Sequence, residues 1–81
     1  MNITVKLFAV ARKLFDQDEL ILNFENESSV RAMRLYLQDK FPNSLFLLNH
    51  CLIAVNGKYV DENSVLLPGD EVALLPPVSG G

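Results

Sequence analysis

The sequence predicts an α+β domain, a mixed sheet of about five strands with one main helix laid across one face. Three observations carry that prediction. Two stretches near the start, Ile3 to Leu7 and Leu20 to Phe24, alternate apolar and polar residues with the period of a half-buried strand. Val30, Met33, Leu37 and Phe41 then recur at three- and four-residue steps, the spacing of one buried helical stripe. The second half returns to short β-rich runs punctuated by Asn56-Gly57 and Pro68-Gly69-Asp70.

Taken in order, Ile3, Val5 and Leu7 form the inward set of an opening strand, and Phe8 falls on the opposite face near its end. Ala9 to Phe15 suits a short helical turn, and Asp16-Gln17-Asp18 is the polar break before a second strand, Glu19 to Phe24, paired with the first. Ser28 or Ser29 can cap the helix by accepting an orphan backbone N–H, with Glu27 near the positive end of the dipole. Arg31, Arg34 and Gln38 are turned away from the helix stripe, and Pro42 ends the helix. Leu45 to Leu48 reads as a closing helical turn and Cys51 to Val55 as a third strand. Asn56-Gly57 favours a type I′ hairpin, because both central residues of that turn need positive φ. Lys58 to Val60 returns as a short fourth strand, Asp61 to Ser64 is a polar loop, Leu66-Leu67 an apolar patch, and Val72 to Leu75 the last strand. With the first and last strands side by side and parallel at the centre, this order is the β-grasp arrangement, filling residues 1–75 and leaving 76–81 as a flexible tail.

Composition bounds the function. Eighty-one residues make one small domain, able to present a surface rather than a deep cavity. The net charge of −3, with seven dispersed Lys and Arg, argues against nucleic acid as a partner. One cysteine excludes an internal disulfide framework and fits a reducing, cytoplasmic compartment. No apolar run approaches the ~20 residues that span a bilayer. His50 and Cys51 are adjacent, and adjacent residues of a strand point to opposite faces, so they would not form a pair there; Cys51 reads as a small core residue without chemistry. No metal-ligand spacing, phosphate loop or catalytic triad is present, so no metal and no permanently bound cofactor are expected.

Pro76 and Pro77 stop the last strand by removing backbone donors, and Val78, Ser79, Gly80 and Gly81 follow. A Gly-Gly end admits three readings: a frayed terminus, a protein tag, or a functional α-carboxyl thin enough to enter a narrow slot. On spacing alone, Phe8 and Arg12 are a core aromatic and a solvated charge, while the amphipathic ring of Tyr59 also suits an interface.

Over its full length the chain resembles the small-subunit family of molybdopterin synthase, the ubiquitin-like sulfur carriers often called MoaD. The resemblance is carried by Phe8-Ala9-x-x-Arg12, Ala54-Val55-Asn56, Pro68-Gly69-Asp70-Glu71-Val72 and, most specifically, Pro76-Pro77-Val78-Ser79-Gly80-Gly81. It implies a carrier that is not catalytic alone. A ubiquitin-activator-like enzyme uses ATP to adenylate Gly81, a sulfur donor protein converts the adenylate to a thiocarboxylate, and the tail delivers sulfur to a pyranopterin precursor in the large synthase subunit of a heterotetramer. It also implies partner-binding roles for Phe8, Arg12, Tyr59, Leu75, Pro76, Pro77, Val78 and Ser79, with Gly80 and Gly81 at the reacting end. Leu75 stands where a phenylalanine is common, a departure that keeps hydrophobicity and loses ring area. A thiamine-type carrier, a protein modifier and a plain β-grasp interaction module are the alternative readings.

Overall fold

The computed structural model describes residues 1–8 and 10–76. Its elements are β1 (Asn2–Leu7), α1 (Val10–Phe15), β2 (Glu19–Asn23), β3 (Ser28–Ser29), α2 (Val30–Lys40), a 3-10 turn at Pro42–Ser44, α3 (Leu45–His50), β4 (Leu52–Val55), β5 (Lys58–Tyr59), β6 (Val65–Leu66) and β7 (Glu71–Leu75). Five strands form one mixed sheet in the order β2-β1-β7-β4-β5. β1 and β7 are parallel at its centre, with Val5 opposite Val72 and Leu7 opposite Leu74, and the other pairings are antiparallel. This is the expected β-grasp fold.

Period-two alternation writes the core. Ile3, Val5 and Leu7 from β1, Leu20 and Leu22 from β2, Ile53 from β4, and Val72 and Leu74 from β7 are all buried on one face. Val30, Met33 and Leu37 of α2 are fully buried against them. The helix begins where its orphan donors are met: the Ala32 N–H donates to Ser29 Oγ at 3.1 Å, and Val30 and Arg31 N–H donate to the carbonyls of Ser64 and Glu62. It ends at Phe41, whose N–H donates to the Leu37 carbonyl at 2.8 Å, as Pro42 starts the tighter turn. Phe41 meets Phe15 edge to face at 4.7 Å between centroids and closes that end of the core.

The Asn56-Gly57 turn has φ of 51° and 85°, as a type I′ hairpin requires. The amide of Asn56 also ties this hairpin to β7. Its Nδ2 donates to Asp70 Oδ1 and its Oδ1 accepts from the Glu71 N–H, both at 3.0 Å. The central strand is thereby fixed at its start.

Two expectations are corrected. Cys51 does not open the third strand; α3 continues through His50, Cys51 is its C-cap, and β4 starts at Leu52. His50 and Cys51 are thus separated by a helix end and not by strand alternation. His50 stacks on Phe46 at 4.4 Å, while Cys51 is buried. The apolar patch at Leu66 is a strand: β6 pairs with β3 in a second, two-stranded sheet, and Leu66 is fully buried.

Candidate functional site

In-register neighbours of a sheet share a face, so the pairing assigns the helix-free side directly. One row crosses all five strands as Glu19, Lys6, Ala73, Ala54 and Tyr59. Another pairs Leu75 with Leu52. The helices bury Val30, Met33, Leu37, Leu47 and Leu48 on the opposite side, and among the described residues this outer face keeps Leu52 and Tyr59 exposed. Tyr59 is 71% exposed, Leu52 55% and Phe8 47%, whereas Leu75 is half-buried. The small side chains of Ala54 and Ala73 lie between Lys6 and Tyr59, making a shallow floor in an otherwise bulky surface. Singly exposed apolar residues need no explanation, but several gathered on one open sheet face make that face the candidate interaction surface.

Phe8, Leu75, Tyr59 and Pro76 are therefore placed at one surface or its border. Pro76 directly follows Leu75 at the end of the central strand, half-buried. Pro77, Val78, Ser79, Gly80 and Gly81 lie outside the described residues. Leu52 was missed from sequence, although Ile53 inside the core makes its outward direction a consequence of strand alternation.

Charged residues border the apolar set. Lys6 Nζ donates to Glu19 Oε2 at 2.6 Å, and this hydrogen bond, with the attraction of the same carboxylate, raises the Lys6 pKa above its ordinary value. Arg12 Nε donates to Asp18 Oδ1 at 2.9 Å. Both pairs are largely exposed, so they orient side chains more than they stabilise the fold. Cys51 lies on the core side; burial pushes its thiol pKa up, partly offset by Arg34, which makes it a poor nucleophile. Among the described residues, no three His, Cys, Asp or Glu side chains are grouped to hold a metal, and no helix is long and apolar enough to cross a membrane.

The chemistry this arrangement offers is recognition, with the strand at its centre leading into the tail. The chain is similar to known proteins in sequence and fold. The molybdopterin synthase sulfur carrier subunit of Arabidopsis thaliana is 32% identical over 81 residues, covering 100% of this chain and 84% of that protein. Small archaeal modifier protein 1 of Methanosarcina acetivorans superposes with a TM-score of 0.82 at 30% identity, over 99% of this chain and 96% of the other. A chain in the complex of subunits 1 and 2 of the molybdopterin-converting factor from Helicobacter pylori superposes with a TM-score of 0.72 at 29% identity, over the whole of both chains. The ThiS family model matches residues 5–81, from the middle of β1 through the Gly-Gly end. Because this span covers nearly the whole chain, the chain belongs to the ThiS family.

Proposed function

We propose that this chain is the sulfur-carrier small subunit of molybdopterin synthase, a cytoplasmic protein that is not catalytic alone. The observation that carries the reading is the match to the Arabidopsis carrier subunit along the entire chain, including the Pro-Pro-Val-Ser-Gly-Gly end. The outer face supplies the docking surface for the large subunit, and the H. pylori complex of subunits 1 and 2 supports that partner.

The chemistry follows from the terminal group. A carboxylate is a poor electrophile because its oxygen is a poor leaving group. In the proposed sequence, the Gly81 carboxylate attacks the α-phosphorus of ATP in a ubiquitin-activator-like enzyme, releasing pyrophosphate and leaving an acyl adenylate. Sulfur at the sulfide oxidation level, supplied by a donor protein, then attacks the acyl carbon and displaces AMP to give the thiocarboxylate. This soft, ionised sulfur attacks the pyranopterin precursor in the large subunit to form a carbon–sulfur bond, water cleaves the acyl–sulfur bond and returns the Gly81 carboxylate, and two such deliveries supply the two sulfurs of the dithiolene. Pro76 and Pro77 restrict the base of the tail and lower the entropy lost on insertion, while Gly80 and Gly81 keep its tip thin.

Removing Gly81, or adding one residue after it, tests the reading. Both variants are expected to fold and to transfer no sulfur; retained transfer would contradict it. The likeness to the archaeal modifier favours one competing role, protein modification, which would appear as isopeptide conjugates to lysines.

A further inference from the structure

The two edges of the five-stranded sheet differ. β5, at one edge, is two residues long and begins with Lys58, features that discourage a further strand from adding. β2, at the other, is the five-residue run Glu19-Leu20-Ile21-Leu22-Asn23, without proline, glycine or lysine, and it keeps unbroken register beside β1. Its one charge, Glu19, is already paired with Lys6 on the strand behind it. This edge lacks most of the devices that keep a strand from recruiting another.

The ladder fixes which backbone groups the edge offers. Leu7 N–H donates to the Asp18 carbonyl and Phe24 N–H to the Met1 carbonyl, both at 2.9 Å. Hydrogen-bonded pairs alternate along an antiparallel ladder, so Leu20 and Leu22 turn their backbone groups toward β1, whereas Glu19, Ile21 and Asn23 turn theirs outward. Among the described residues no strand pairs with that outward row. The Ile21 side chain in its middle is 61% exposed.

We propose that β2 pairs antiparallel with β2 of a second copy of this chain, about a two-fold axis at Ile21, joining the two sheets into one. The sequence of the edge selects this occupant because it is its own complement: Ile21 faces Ile21, and Glu19 faces Asn23. Every outward backbone group is then used, since each facing pair exchanges both of its N–H···O bonds. Sliding the register either way leaves some of them unpaired, and far enough in one direction sets Glu19 against Glu19. In the centred register no like charges meet; the Glu19 carboxylate faces the amide donor of Asn23, and the two Ile21 side chains cover one another. The pairing lies at the edge away from β4 and β5, so Leu52 and Tyr59 stay free. The inference goes beyond the proposed function and does not rest on it.

A single strand pair buries far less than the ~1,600 Å² of a standard interface, so the association is weak and shows at high concentration. Sedimentation equilibrium of the full chain, from micromolar to about 1 mM, tests it. The average mass is expected to rise from the 9.1 kDa of one chain toward twice that value. Ile21→Lys and Ile21→Glu each set like charges across the axis and should weaken self-association about tenfold or more, while an equimolar mixture of the two should recover it. Thermal melts serve as the folding control. Amide hydrogen exchange of the wild-type chain gives a reading free of any substitution: the Ile21 amide should exchange more slowly as concentration rises, and the Leu22 amide, already bonded to β1, should change little. A wild-type chain that stays at 9.1 kDa up to about 1 mM would overturn the inference. So would self-association that both charged variants retain, or that their mixture fails to restore, since the copies would then meet elsewhere. Protection of the Ile21 amide only on adding a different protein would assign the edge to another partner and equally overturn it.

Discussion

The guanidinium of Arg34 donates from Nη1 to the backbone carbonyl of Cys51 at 3.0 Å. The same nitrogen donates to the Leu48 carbonyl, and on the other side Nε lies 2.8 Å from Glu62 Oε1. One side chain on α2 thereby ties the end of α3, the start of β4 and the loop before β6. Only 14% of it is exposed, so these contacts form largely out of water.

Replacing Arg34 with Ala leaves the Leu48 and Cys51 carbonyls without this donor, and the expected loss is about 2–4 kcal/mol of unfolding free energy. Lys keeps the charge but not the fork that reaches two carbonyls and a carboxylate, so Arg34→Lys should cost about half as much. Urea unfolding measures both. A loss under about 0.5 kcal/mol for Arg34→Ala would show that the brace is dispensable.

Cys51 makes the fold sensitive to alkali. Burial raises its thiol pKa above the ordinary 9.0, so the unfolded thiol ionises first as pH rises. Between the unfolded and folded values the native state binds more protons, and stability falls from about pH 9 upward. The decline should be shallower in Cys51→Ala than in wild type when unfolding free energy is followed across that range. Parallel declines would mean that the thiol is not the titrating group.

Much of this was legible before the structure, for reasons that are local. A strand with one buried face records its direction in alternating residues, as Ile3, Val5 and Leu7 do, and Asn56-Gly57 specifies its turn through two positive φ angles. The pairing of β3 with β6 was not legible, because two residues per strand are too few to show a period. Nor was the end of α3: Leu47 to Ile53 is an apolar run broken by Asn49 and His50, compatible with either a helix or a strand. The Arg34 brace joins residues 14 to 28 apart, and no sequence pattern encodes such contacts. At the candidate site, Phe8 came from the family motif, whereas Tyr59 and Leu75 came from the family's interface positions, Leu75 as a departure from the usual phenylalanine. Leu52 was implied by alternation but overlooked.

Leu52 allows the outer face to be tested apart from the tail. It is exposed, so Leu52→Ala should change stability by less than about 0.5 kcal/mol. If the Leu52–Leu75 row lies at the centre of the docking surface, the same substitution should weaken binding to the large subunit about tenfold. Unchanged affinity would move the interface elsewhere.

The central claim concerns Gly81, and the intact mass of the chain tests it most directly. After incubation with its cognate activating enzyme, ATP and a sulfur source, the mass should rise by a single oxygen-to-sulfur exchange, located by fragmentation to the carboxyl of Gly81. An unchanged mass, with an activating enzyme shown to be active, would contradict the account.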